Sequence, residues 1–317
     1  MDVRYKFLVD QAAPHGRKWR KDRLSGKELG QIRLGDRLAK GGTSVVYRAQ
    51  CGKAIITCKV TDGKYSEGLM KECEILRKLD HTNILKVYDG IACNRIVAMA
   101  MEFVPCGDLH DFVTHHFPVH SETRQKFGTE ILSAVSYMHD NGIAHCDLKL
   151  ENILVDTQGS TKIIDFGSAL KVADATYEDF AYIATTPEYL PPEIFCTTTR
   201  DGYDIRAIDE WSVGVVLFIL LTGRFPFGEV DASRIAKYIQ KMRAAHSFNL
   251  RQNEEMLLYF EKEYLEVARG LLAFDPEERF SVSKALQMGF TKKKSVFSLD
   301  DIESEIDKEF GSIFDDI

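Results

Sequence analysis

His145-Cys146-Asp147-Leu148-Lys149-Leu150-Glu151-Asn152, followed thirteen residues after Asn152 by Asp165-Phe166-Gly167, is the stretch on which the reading of this 317-residue chain turns. The first segment puts an acid, a cation and an amide on one loop; the second puts another acid on a glycine turn. Phosphoryl transfer asks for such a set: a carboxylate to orient a hydroxyl, a cation near the moving phosphoryl group, and oxygen ligands for magnesium. Either segment alone is a weak signal, and the two at this spacing are a far more specific one.

The surrounding chain fits a folded enzyme-sized unit. At 36.0 kDa it exceeds the usual single domain, which predicts one large two-lobed unit or two ordinary domains. With 44% hydrophobic and 28% charged residues and a mean hydropathy of −0.20, the body is globular, and disorder is expected only at the ends. The longest apolar run, Val213 to Leu221, falls far short of the roughly 20 residues that cross a bilayer. Residues 1 to 10 lack a signal-peptide core, so no membrane span and an intracellular location, cytoplasm or nucleus, are expected. Seven scattered cysteines with no C-x-x-C pair read as reduced thiols and not as a disulfide framework or zinc site. The net charge of −7 is uneven: residues 1–30 carry +4 and residues 295–317 carry −7, leaving −4 for the body. That excludes a global basic field and, with it, specific nucleic-acid binding.

Outward from the loop, Ile32 to Val60 alternates like strands around a Gly41-Gly42 turn. Leu69, Met70, Cys73, Leu76 and Leu79 recur at three and four, predicting an amphipathic helix from Ser66 to Leu79. Strand-like runs follow at Ile84 to Val87 and Ile96 to Glu102. Beyond Pro105 the period becomes helical, at Ser121 to His139, Ala207 to Thr222, Arg234 to Ala244 and Asn253 to Ala273, with short strands at Ile153 to Val155 and Lys162 to Ile164. The expected class is α+β: a small β-rich half with one main helix, then a larger helical half, with a cleft between. The divisions are a basic extension over 1–30, a first lobe over 31–105, a second over 106–290 and an acidic tail over 291–317. The tail carries one apolar stripe (Leu299, Ile302, Ile306, Phe310, Ile313, Phe314, Ile317) that needs a docking surface, on this chain or on a regulatory partner.

Taken together, the two segments resemble the catalytic and metal-binding loops of eukaryotic protein kinases, and the remaining motifs appear in order from about Gln31 to Phe290. Ile56-Thr57-Cys58-Lys59 looks like the strand that presents a phosphate-binding lysine. Glu72 and Glu74 compete as its partner, and the resemblance selects Glu72, which precedes the Cys73-Glu74-Ile75-Leu76 run. Thr186 to Glu193 resembles the end of the activation segment, Asp209-Glu210-Trp211 the helix that anchors the catalytic loop, and Arg279 the structural partner of Glu193.

The resemblance implies a bilobal protein serine/threonine kinase that uses ATP and Mg2+ on a protein substrate. It implies Asp147 as base, Lys149 as the cation beside the transferred group, Lys59 and Glu72 as the phosphate-gripping pair, and Asn152 and Asp165 as magnesium ligands. Nucleotide would be lined by Leu38, Ala39, Gly41, Gly42 and Val46. Its adenine would lie against the stretch Met101, Glu102 and Val104, with its ribose near Asp108. The D-L-K-x-x-N loop goes with serine/threonine specificity, and the motifs lean toward the calmodulin-dependent and checkpoint group.

Two departures stand out. Where three loop glycines are usual, Ala39 and Ser44 replace the first and third, which is expected to weaken nucleotide affinity. Cys146 stands where an arginine usually pairs with an activation-segment phosphate, so activity independent of that phosphorylation is expected. These departures also motivate an alternative, a pseudokinase scaffold that binds nucleotide or partners without catalysis; a third reading, a kinase of lipids or small molecules, is disfavoured by Thr186 to Glu193.

Overall fold

Alternating apolar residues and a two-glycine turn fold as the sequence pattern requires, into strands β1 (Glu28–Leu29), β2 (Ile32–Lys40), β3 (Val45–Cys51) and β4 (Ala54–Asp62). The computed structural model describes residues 24–93, 96–175, 186–196, 204–228 and 262–290. The basic extension up to residue 23, the helix expected at Arg234 to Ala244 and the acidic tail from 291 lie outside the described residues.

Two compact units emerge. The described part of the first comprises residues 24–109 and 151–170. Its six-stranded antiparallel sheet runs in the order β1-β2-β3-β4-β6-β5, with β5 at Val87–Cys93 and β6 at Ile96–Glu102. Along β4 the side chains alternate by face. Ile56, Cys58 and Val60 join Leu34, Tyr47, Ala49, Ala98 and Ala100 in one core, leaving Thr57, Lys59 and Thr61 on the other face.

Helix α1 (Ser66–Leu76) buries Leu69, Glu72, Cys73, Ile75 and Leu76. Met70, counted in the apolar stripe, is half exposed instead, because the buried face centres on 69, 72, 73 and 76 and position 70 lies about 100° off it. The strand expected at Ile84 to Val87 begins only at Val87. Ile84 makes a single parallel bridge to Ile163, and the Ile163 amide donates to the Asn83 carbonyl at 2.8 Å. That pairing draws the hairpin Ile153–Val155/Thr161–Ile163, which lies in sequence within the helical half, into the sheet unit. Asn83 Nδ2 donating to the Thr161 carbonyl (2.8 Å) and the Lys162–Glu102 ion pair (2.9 Å) hold it there.

The second unit is mostly helical over its described residues, within 110–150, 171–175, 186–196, 204–228 and 262–290. It contains most of α2 (Leu109–His116), then α3 (Ser121–Asp140), α4 (Pro192–Cys196), α5 (Arg206–Thr222), α6 (Lys262–Leu271) and α7 (Val282–Met288). Helix α5 is buried nearly all round, as its apolar sequence demands. It ends at Gly223, whose φ of 72° and 2.9 Å clearance to the Phe117 ring admit no side chain. No described helix is long and apolar enough to cross a membrane, and Cys51, Cys58, Cys73, Cys106 and Cys146 form no disulfide.

Helix α6 meets the turn before α7 through Gly270, where an added Cβ would collide with the Phe280 ring. Gly270→Ala is therefore expected to destabilise the helical unit by about 1–3 kcal/mol, an overpacking cost, measured as a lowered urea midpoint. An unchanged midpoint would show that this contact is not tight.

Candidate active site

Lys59 organises the functional face of the sheet unit. It sits opposite Val46 on β3 and Met99 on β6, so these three share a face. Its Nζ donates to both carboxylate oxygens of Glu72 at 2.9 and 2.8 Å, and to Asp165 Oδ1 at 2.8 Å. Glu72 is buried on the inner face of α1, whereas Glu74, about 200° round the helix, is exposed. Burial alone would lower the Lys59 pKa, but the Glu72 and Asp165 carboxylates outweigh it and hold the ammonium above its usual value. Asp165 takes a left-handed backbone (φ 63°) and keeps its carboxylate 47% exposed. Gly167 makes room for it, since a Cβ there would lie 3.3 Å from Asp165 Oδ1.

Asn152 belongs to the same unit. Its backbone carbonyl accepts the Ile164 amide at 2.9 Å, which brings it alongside the residue before Asp165. An amide oxygen and a half-exposed carboxylate are hard donors of the kind that suit Mg2+, so the donor set fits that ion.

The remaining nucleotide candidates also fall in the sheet unit. Met101 is buried opposite Thr57. Glu102 accepts the Lys86 amide at 2.7 Å and pairs with Lys162, which fixes the end of β6. Val104 is half-buried; Asp108 bridges Leu154, and the Val155 amide donates to the Gly107 carbonyl at 3.0 Å. Leu38 lies where the β2–β3 register shifts, and Ala39 pairs with Val46 inside the ladder, so its methyl group meets no backbone objection. Gly41 and Gly42 have ordinary φ, and an added Cβ would strike nothing closer than 3.6 Å. The fold therefore does not need glycine at either position.

In the helical unit, Lys149 Nζ donates to both oxygens of Asp147 at 3.0 Å, and the Asp147 amide donates to His145 Nδ1 at 3.3 Å. Asp209, 0% exposed, holds this loop from beneath: it accepts the His145 amide at 2.7 Å, the Cys146 amide at 2.8 Å and His139 Nε2 at 2.9 Å. Cys146 is itself fully buried with φ 63°, so its thiol presents nothing to a phosphate. Arg279 grips Glu193 with two bonds (2.6 and 2.9 Å) and lies over the Trp211 ring, the structural pair that the motif order implies.

Sequence reasoning missed His139, which is the second-to-last residue of an ordinary amphipathic helix and 70 positions from its partner; no local spacing marks it. It also missed Glu210, whose identity stands in the anchoring motif but whose burial does not.

The chain matches the protein kinase domain family over residues 33–291, and it belongs to that family. It is 30% identical over 275 residues to CBL-interacting serine/threonine-protein kinase 12 of Arabidopsis thaliana, covering 84% of this chain and 53% of that protein. It is 31% identical to CBL-interacting protein kinase 25 of Oryza sativa subsp. japonica over 234 residues, 72% of this chain and 43% of that one. Probable serine/threonine-protein kinase fhkC of Dictyostelium discoideum is 29% identical over 280 residues, 88% of this chain and 45% of its own. The chain thus spans about half the length of these relatives.

Burial pushes the Glu210 carboxyl from 4.5 up to about 7, with His139 and Arg279 offsetting only part. The folded chain then holds a proton that the unfolded chain releases near 4.5, so the stability this residue contributes falls as pH rises from 4.5 to about 7. Glu210→Gln removes the titration, and its stability relative to the parent should climb by roughly 1–3 kcal/mol between pH 5 and pH 8. A pH-independent difference in urea unfolding would contradict the assignment.

Proposed function

We propose that this chain is a protein serine/threonine kinase that transfers the γ-phosphate of magnesium-ATP to a protein hydroxyl. The observation that carries the reading is the Lys59 ammonium held at 2.8–2.9 Å by Glu72 and Asp165, on the face that also bears Val46. An ammonium so held is fixed in direction and fully charged, which suits it to α- and β-phosphate oxygens. Asn152 and Asp165 would hold Mg2+, which supplies charge neutralisation on the phosphates.

Asp147 orients the acceptor hydroxyl and takes its proton as the oxygen–phosphorus bond forms, while ADP leaves with the electrons of the broken bond. Lys149, bonded to both Asp147 oxygens, offsets negative charge on the transferred group. The serine/threonine class rests on the Asp147-Leu148-Lys149 loop and on the relatives' names. The absence of a disulfide at Cys51, Cys58, Cys73, Cys106 and Cys146 supports an intracellular setting.

Transfer of labelled γ-phosphate to a generic basic protein, for the parent beside Asp147→Asn, tests this. The parent should transfer and the variant should lose about 100- to 10,000-fold in kcat. A folded parent that binds magnesium-ATP but transfers to no substrate would favour the scaffold reading instead.

Independence from activation-segment phosphorylation is the finer proposal, supported by the buried Cys146. The candidate phosphosites Thr176, Tyr177 and Thr185 lie outside the described residues. Thr176→Ala and Tyr177→Phe are expected to keep kcat within about threefold of the parent, less than the free energy of one neutral hydrogen bond. Loss of activity in either would reverse the proposal.

A further inference from the structure

The β2–β3 loop is tied down from below. The last ladder pair is Lys40 with Val45, and the Gly41 amide donates to the Ser44 carbonyl at 2.9 Å, which leaves Gly42 and Thr43 at the tip. One side chain then reaches that tip: Thr61 Oγ1, on β4, donates to the Thr43 carbonyl at 2.6 Å. Thr61 is buried and lies two residues after Lys59, on the same face of β4. Strand β3 begins at Val45, opposite Val60, so at Thr61 the strand partner has run out and a side-chain hydroxyl continues the connection in its place.

We propose that Thr61 is a positioning residue for nucleotide: it pins the tip of the β2–β3 loop over the Lys59 face so that the loop amides are set in advance for phosphate oxygens. This rests on the kinase reading above. The pin bears directly on the two missing glycines. A glycine-rich loop must surrender backbone freedom when it closes on phosphate. In this chain Ala39 sits inside the ladder and the tip is hydrogen-bonded to the strand that carries the phosphate-gripping lysine. The ordering cost is thereby met largely by folding, and affinity survives the loss of the flanking glycines.

Thr61→Val keeps the shape of the side chain and removes the hydroxyl that donates to the Thr43 carbonyl, and Thr61→Ser restores that hydroxyl. Magnesium-ATP dissociation constants by calorimetry, amide hydrogen exchange over residues 42–45 without nucleotide, and phosphotransfer kinetics would be measured on the full chain. Thr61→Val should exchange faster over 42–45 and weaken magnesium-ATP about three- to tenfold, the effect of one neutral hydrogen bond. The same factor should appear in KM for ATP with kcat held within about twofold, and Thr61→Ser should return to the parent values. Thr61→Ala carries the same expectation should the valine variant not fold.

Parent-like exchange and affinity in a folded valine or alanine variant would overturn the inference. A drop in kcat with KM unchanged would overturn it as well, because the loop would then act on chemistry and not on nucleotide. Faster exchange in a variant of a parent that binds no magnesium-ATP would leave the pin in place and overturn both its nucleotide role and the kinase reading; unchanged exchange beside normal parent binding would sink the pin alone.

Discussion

A single ammonium group sets the terms for the sheet unit. Lys59 is only 13% exposed, and a cation so far removed from water is stable only with anionic partners in hydrogen-bond contact. Those partners come from two places distant in sequence, Glu72 on α1 and Asp165 on the turn after the Ile153–Ile163 hairpin. Satisfying one charge therefore fixes where a helix packs on the sheet, where the hairpin docks and which way the Asp165 turn faces. The Phe166 amide adds a bond to Glu72, so even the backbone of that turn is drawn into the arrangement. Removing Glu72 would leave a buried cation with half its compensation, which is why the three residues behave as one unit and not as separate contacts.

The helical unit solves a similar problem with the opposite sign. Asp209 is an anion with no exposure, and its compensation comes from two backbone amides of the loop that carries Asp147, together with His139. Because the amides belong to consecutive residues, His145 and Cys146, the loop between them has little freedom, and Cys146 accepts a left-handed backbone to meet the carboxylate. The unfavourable φ is offset by charge-assisted hydrogen bonds.

Much of this was legible in the sequence. The spacing of Asp147, Lys149, Asn152 and Asp165 pointed to the chemistry proposed above, and the family resemblance selected Glu72 over Glu74, which the structure buries and exposes respectively. Period also gave α3 and α5 within a residue or two of their observed ends. What it could not give is allegiance across sequence. The Asn83 to Thr161 bond that moves a hairpin from the helical half to the sheet unit spans 78 residues, and the His139 to Asp209 pair spans 70. Met70 shows the limit of a stripe drawn by composition: an apolar residue at a permitted spacing is still exposed when the helix face turns away from it. Glu210 shows the converse, a charged residue left half-buried because its neighbours Asp209 and Trp211 are fully buried.

The two departures from the family pattern, at first sight signs of lost function, have a common physical form. In each, a part usually ordered by a phosphate is ordered by the protein itself. At the loop ahead of Asp147 the thiol of Cys146 packs inward where a cation is usual, and Asp209 holds the backbone from below, as the anchoring motif implies. The β2–β3 loop lacks two glycines that let backbone close on a nucleotide, and Thr61 fastens its tip to β4 beforehand. Ordering of this kind removes a step at which affinity or rate could be regulated, and it reduces the free energy that ligand or modification must supply.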